Sequence, residues 1–240
     1  MEKFNYLEHY KIDAKEFDYF EKRNGATEHD ERRVHEYIIS SVPNKVKSIL
    51  DVGCGSAWVA KNYLKKQVKV YSLDISLVNP IKALREHPAN NHFGITADSY
   101  KLPFLDNSFD CIIASEIIEH VIYPDKFIKE LIRTLKPKGE LIITTPYKEV
   151  LRYSLCIHCN QKTPINAHIN SFDENILANL YKGKDLDYVK WQTFGNKILI
   201  FLRTYVILKF LPFSLWKVKD KFANLIYKIP AHIIVTYKKK

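Results

Sequence analysis

The chain has 240 residues, 46% hydrophobic and 13% aromatic, which suits one large α/β domain with a full core. Four cysteines exclude a disulfide framework, and the densely charged Met1–Lys22 stretch lacks the apolar run of a secretory signal, so an intracellular, reducing location is expected. The net charge of +10 is concentrated: Lys190 to Lys240 holds eleven basic residues and one acid, Asp220, while the remainder is balanced at 26 of each sign. Such asymmetry suits a surface that meets anionic lipid, polysaccharide or nucleic acid better than a general lysine bias.

Residues 1–30 alternate polar and aromatic and read as an N-terminal helical lid. Glu28–Ser41 reads as a helix with Thr27 as a candidate cap, ended by Pro43 and Asn44. Strands and helices then alternate: strand Val46–Val52, helix Ala57–Lys66, strand Val68–Leu73, helix Asn79–Glu86 with Pro80 in its first turn. Strands His92–Ala97 and Phe109–Ala114 follow, then helix Pro124–Leu135, a turn at Pro137–Gly139 and strand Glu140–Thr145. Short apolar strands separated by helices predict a parallel sheet buried on both faces. Residues 147–172 read as a loop carrying Cys156 and Cys159, followed by a helix over Asp173–Tyr181 begun by Ser171 or Asp173. Asp187–Phe194 and Ala231–Tyr237 read as a last strand pair, divided by an insertion over 196–229.

The segment Asp51-Val52-Gly53-Cys54-Gly55 carries a strand into a Gly-rich turn. Gly53 permits a sharp turn, Gly55 removes a Cβ that would block a ligand lying on the backbone, and Asp51 anchors the loop or accepts from an amino group. A lone GxG also fits an ordinary turn or a dinucleotide phosphate loop. Asp74 and Ile75 end the second strand, where a carboxylate can accept from two ribose hydroxyls; Asp98 and Ser99 follow the third, placed for an adenine amino group. Trp58 stands where a GxGxxG phosphate loop would continue, which argues against dinucleotide oxidoreduction.

With Leu102-Pro103-Phe104, Ser108-Phe109-Asp110, Glu116-Ile117-Ile118-Glu119-His120 and Leu135–Leu141 in order, residues 46–146 resemble the class I S-adenosylmethionine-dependent methyltransferases, in their ubiquinone-pathway-like branch. The resemblance implies a Rossmann-like α/β three-layer sandwich. Its sheet would have seven mostly parallel strands with the last antiparallel, plus a helical lid and a helical insertion before the last strand. It further implies S-adenosylmethionine bound by Asp51, Gly53, Cys54, Gly55, Asp74, Ile75, Asp98, Ser99 and Glu116. Many relatives carry a third glycine where this chain has Ala57, which would narrow the pocket slightly. A single domain is expected: lid 1–45, cofactor core 46–146, acceptor-side loop and helix 147–186, and the final pair with its insertion, 187–240.

Acceptor chemistry has three candidate seats. Glu116, Glu119 and His120 would share one face if they open a helix and could hold Mg²⁺ or a similar ion; that pattern resembles the metal site of small-RNA 2′-O-methyltransferases, shared by ubiquinone-pathway O-methyltransferases. Without a metal, Glu116 would make cofactor contacts while Glu119 and His120 shape the pocket, with His120 as the candidate general base and Glu116 as a second catalytic candidate. Cys156 and Cys159, completed by His158 or His168, form a candidate Zn²⁺ site. The same loop, with Asn166, His168, Asn170 and Ser171, also suits polar contact to the acceptor. In the insertion, Leu215, Val218, Phe222, Leu225, Ile226 and Ile229 form an apolar stripe with Lys217, Lys221 and Lys228 largely opposite. That stripe fits an anionic membrane surface or a cap over the substrate cleft, and nucleic acid less well. The expected function is methyl transfer to a hydroxyl of a small or lipid-linked acceptor, in the cytoplasm or at the inner face of the membrane. Metal-dependent RNA 2′-O-methylation and non-catalytic cofactor binding are the alternatives, and the sequence leaves oligomeric state open.

Overall fold

A computed structural model of the chain describes residues 4–240; the first three residues of the expected lid lie outside them. Five strands run parallel: β1 (Ser48–Val52), β2 (Lys69–Asp74), β3 (His92–Thr96), β4 (Phe109–Ser115) and β5 (Leu135–Pro146). A small hairpin, β6 (Tyr153–Leu155) with β7 (Lys162–Pro164), stands apart. β8 (Leu186–Asn196) and β9 (Pro230–Lys239) complete a seven-stranded sheet in the order β3-β2-β1-β4-β5-β9-β8. β9 runs antiparallel to both of its neighbours, as the expected topology requires. The strand order reverses between β1 and β4, which opens a crevice at the carboxyl ends of the strands.

Helices cover both faces. In chain order they are α1 (Tyr6–Glu16), α2 (Gly25–Ser41), α3 (Trp58–Tyr63), α4 (Val78–Glu86) and α5 (Pro124–Thr134). After these come α6 (Glu174–Asn179), α7 (Lys197–Phe201), α8 (Tyr205–Leu208) and α9 (Phe213–Ile226). Every residue of β1 is buried, because its side chains face a core on each side. On one face Val34, Tyr37 and Ile38 of α2 and Val59 of α3 pack on Ile49 and Ile113. On the other, Phe127, Ile128, Leu131 and Ile132 of α5 pack on Leu50, Ile112 and Leu141. Each of those four α5 side chains is fully buried and contributes about 2 kcal/mol of transfer free energy.

Several boundaries differ from the sequence expectation. α2 begins at Gly25, so Thr27 lies inside its first turn, and the N-cap is Asn24 with no side-chain cap bond. α6 is shorter than expected and is capped by Asp173, which accepts from the Ile176 amide. Residues 147–172 contain the β6–β7 hairpin where a loop was expected. The Pro137–Gly139 turn is absorbed into β5 as an irregularity, with Lys138 at φ +63° and a register shift against β4. Ala57 is fully buried at φ +55°, with its methyl in the core; its cost is left-handed strain of about 1 kcal/mol rather than a narrowed pocket.

Candidate active site

A cavity of about 590 Å³ opens at the carboxyl edge of the sheet, roofed by α1 and walled by the loops after β1 to β4 and by residues 166–168. Of the sequence candidates, Gly53, Gly55, Asp74, Ile75, Ser99, Glu116, His120 and His168 line it. The glycine loop is built as its residue types suggest. Gly53 sits at φ +67°, and a Cβ there would stand 2.3 Å from Ile117 Cδ1; Gly55 sits at φ +43°. The Cys54 amide donates to the Leu73 carbonyl (2.9 Å) and its carbonyl accepts from the Ala57 amide (2.7 Å), tying the loop to the end of β2. Cys54 is thus buried and structural, its thiol pushed up by burial and by Asp51.

Asp74 occupies the end of β2. Its Oδ1 accepts from the Ser76 amide (2.9 Å) and its Oδ2 from Asn79 Nδ2 (3.0 Å). Burial raises its pKa against the lowering pull of those donors. Asp51 lies deeper, fully buried, with its Oδ2 unpartnered; burial, then the nearby Asp74, holds its pKa well up. Asp98 turns to the lid: Tyr6 donates its hydroxyl to Oδ2 (2.6 Å) and the Tyr100 amide donates to Oδ1 (3.0 Å). Its neighbours Ala97, Ser99 and Tyr100 line the cavity.

The motif after β4 is not the start of an α-helix. Glu116 takes φ +53° and a single 3₁₀ turn covers Ile118–His120, so the three do not share a helix face: Glu119 and His120 converge on His168, while Glu116 reaches His232. Glu116 places Oε2 3.6 Å from His232 Nδ1, while its Oε1 is buried and unpartnered. Glu119 is buried, accepts from the Thr145 hydroxyl through Oε2 (3.0 Å) and leaves Oε1 unpartnered; burial, then Glu116, raises its pKa well above the ordinary range. His120 Nδ1 is 3.2 Å from the Ala167 carbonyl, which can only accept, so Nδ1 carries the proton. Burial, then His168, pushes its pKa down to about 4, leaving a neutral ring with the lone pair on Nε2.

His168 does not join the cysteines. Its Nδ1 lies 2.5 Å from Glu149 Oε2, and its ring meets that of His120 edge-on with centroids 4.8 Å apart. Ligand atoms of Glu119, His120 and His168 all lie within 4.8 Å of one another, the one such cluster among the described residues. Cys156 and Cys159 sit on the turn of the β6–β7 hairpin, both free thiols, with Cys159 exposed. The hairpin keeps the pair outside the cluster, so the expected grouping of Cys156, Cys159 and His168 does not form.

Sequence reasoning missed the partners that come from far along the chain. His232 of β9 is held between Asp30 of α2 (2.9 Å from Nε2) and Glu116. Burial alone would lower its pKa, but the two carboxylates outweigh it and hold it well above the usual value. A strand-interior histidine carries no local signal of this. Asn79 is a different matter, since it stands five residues after Asp74 in the first turn of α4, and the short link from β2 to α4 is a local signal for the pair. Tyr10 and Tyr19 of the lid line the cavity too; Tyr19 donates to Asp13.

Among known proteins, residues 26–190 match the family described as a methyltransferase domain. Mouse mitochondrial ubiquinone biosynthesis O-methyltransferase is 34% identical over 116 residues, 45% of this chain and 31% of that protein. Demethylmenaquinone methyltransferase of Paenarthrobacter aurescens is 32% identical over 113 residues, 47% of this chain and 44% of that protein. The chain thus spans less than half the length of either curated relative. An S-adenosylmethionine-dependent methyltransferase structure from Mesorhizobium loti superposes with a TM-score of 0.60 at 15% identity, covering 88% of this chain and all (100%) of the other. A Pyrococcus horikoshii protein does so at 0.60 and 19%, covering 97% and 99%. The chain belongs to the methyltransferase-domain family and has the fold of its S-adenosylmethionine-dependent enzymes.

Proposed function

We propose that this protein transfers the methyl group of S-adenosylmethionine to a hydroxyl of a small or lipid-linked acceptor, such as a quinone precursor, a polyprenyl-linked sugar or a surface-polysaccharide intermediate. One observation carries the reading: a single cavity joins Gly53, Asp74 and Ser99 on one side to Glu116, His120 and His168 on the other. The residues present fit the cofactor. The glycine loop offers bare backbone, Asp74 has acceptor capacity left, and Asp51 and Glu116 each hold a buried oxygen without a partner. Bound there, S-adenosylmethionine supplies an electrophilic methyl. Asp74 would hold the ribose, the Gly53–Gly55 backbone would leave room for the ligand, and the aromatic side chains of α1 would exclude water. Both curated relatives are named for quinones, and the mouse one is named as an O-methyltransferase, which supports a hydroxyl as the acceptor.

Glu119, His120 and His168 also fit a divalent ion. Each histidine anchors Nδ1 on an oxygen, His120 on Ala167 and His168 on Glu149, which leaves both Nε2 atoms free in the pattern that orients metal-binding imidazoles. The nitrogen-rich set suits Zn²⁺ better than Mg²⁺. Such an ion would acidify the acceptor hydroxyl; His120 Nε2 alone, with its low pKa, is a weak base for that proton.

The test is incubation of the full chain with labelled S-adenosylmethionine and catechol or phenolic quinone precursors, with and without a chelator, and product identification by mass spectrometry. An O-methylated product is expected, with turnover lost on chelation and restored by Zn²⁺. Turnover insensitive to chelation refutes the metal. Saturable cofactor binding without any methylated hydroxyl refutes the catalytic reading.

A further inference from the structure

The apolar stripe predicted in the insertion exists, but it faces away from the protein. At 100° per residue, α9 turns Phe213, Trp216, Lys217, Asp220 and Asn224 toward the body. The opposite face carries Leu215, Val218, Phe222, Leu225 and Ile226, all exposed. A surface helix of a water-soluble domain does the reverse, burying its apolar side. α7 and α8 continue the face: Phe201 is 83% exposed, Ile207 75% and Phe210 78%. An apolar groove of about 570 Å³ runs between these helices, lined by Ile198, Leu199, Ile207, Val218, Phe222 and Ile226.

The inward face is committed, so the insertion cannot simply roll over. Asp220 accepts from the amides of Gly195 (3.1 Å) and Asn196 (2.8 Å). Arg33 of α2 is buried, donates to the carbonyls of Leu208 (2.9 Å) and Leu211 (3.1 Å), and lies 4.8 Å from the Trp216 ring. Nor does the stripe cap the cleft, because the residues that line the active-site cavity come from elsewhere in the chain.

Charge selects the partner. Asp220 is the only acid between residues 196 and 240, and it is buried against backbone amides, so what the insertion shows to solvent is positive. Lys219 and Lys221 flank the apolar face of α9, one on each side, and Lys197, Arg203, Lys209 and Lys228 are exposed around it. A second copy of this chain would set one lysine row against another. No helix among the described residues is long and apolar enough to cross a membrane. The insertion leaves β8 at Asn196 and rejoins β9 at Pro230, the edge of the sheet where the cavity opens.

We propose that the outward face of α7, α8 and α9 docks the protein on an anionic lipid bilayer, with the apolar side chains entering the headgroup boundary and the lysines on lipid phosphates. This goes beyond the methyl-transfer reading and stands whichever acceptor is used. The test is flotation of the full chain with vesicles of phosphatidylcholine alone or with about one-third phosphatidylglycerol. Association with the anionic vesicles only is expected, weakened by salt near 1 M. Phe222→Asp/Leu225→Asp should lose at least about tenfold in partitioning, and Lys219→Glu/Lys221→Glu a similar factor. Hydrogen exchange of the wild-type chain gives a reading independent of variant folding: amides over 197–226 should slow when anionic vesicles are added. No association at low salt overturns the proposal, as does equal binding to neutral vesicles. So does a solution dimer that the Phe222→Asp/Leu225→Asp variant converts to monomer, which would assign the face to a second copy.

Discussion

Replacing Asp74 by alanine tests the proposed cofactor site most directly. A carboxylate offers about four lone-pair positions. Ser76 and Asn79 use one on each oxygen, which leaves two toward the cavity that Asp74 lines, enough for two vicinal ribose hydroxyls. A hydrogen bond to a charged acceptor contributes about 1.5–3 kcal/mol, so two are worth roughly 3–6 kcal/mol in gross terms. Water entering the vacated space re-solvates the hydroxyls and recovers part of this, leaving about 3 kcal/mol, or a hundredfold or so in Kd. Titration calorimetry with S-adenosylmethionine reads the affinity, and a melting curve reads the fold. Asp74→Asn, which keeps one acceptor but turns an NH₂ group toward Asn79 or the Ser76 amide, should lie between wild type and Asp74→Ala. A Kd within about twofold of wild type for Asp74→Ala, at unchanged Tm, would refute the ribose contact.

Three further perturbations follow from the same geometry. Gly53→Ala places a methyl 2.3 Å from Ile117 Cδ1 at φ +67°; about 1–2 kcal/mol of stability should be lost and cofactor affinity should fall with it, and a denaturant melt with wild-type midpoint would contradict this. His232→Gln leaves Asp30 and Glu116 facing each other without a cation, costing about 2 kcal/mol near neutral pH after screening of the part-exposed Asp30. Because the native pKa of His232 is raised, its contribution is complete below the unfolded value of about 6.5 and fades as pH rises through the native value, so wild type and variant should converge in alkaline melts. His35, stacked 4.0 Å from Trp58, is pushed down to about 4 by burial and then Lys61. The unfolded chain binds that proton more readily, so stability is lost as pH falls from about 6.5 through 4, by up to about 3 kcal/mol, and His35→Gln should flatten this acid limb. An imidazole resonance of His35 titrating near 6.5 would contradict the assignment.

The alternating strands and helices and the tight turn at Gly53 were legible in the sequence because both rest on local rules, whereas the count of seven strands came from the family resemblance. Apolar runs such as Ile49–Leu50 and Cys111–Ala114 have to be buried on both sides, Gly53 has to occupy a left-handed turn, and an acid ending β2 falls at the crevice by topology alone. The acceptor side was not legible in the same way. Glu119, His120 and His168 come together through a loop that returns 48 residues after His120, with Ile169 and Asn170 donating their amides to the Glu119 carbonyl. No spacing rule could pair His168 with His120 rather than with Cys159. His232 reaches Glu116 only because β9 inserts between β5 and β8. The insertion divides along the same line. Its composition fixed an amphipathic, basic helix, since a stripe at 3.6-residue spacing needs nothing but the order of residues. Which side of that helix meets the protein was decided by Asp220, Trp216 and Arg33, which bind the polar face to the body and leave the apolar one outside. Periodicity defines a face; only the contacts made from distant segments determine what that face is turned toward.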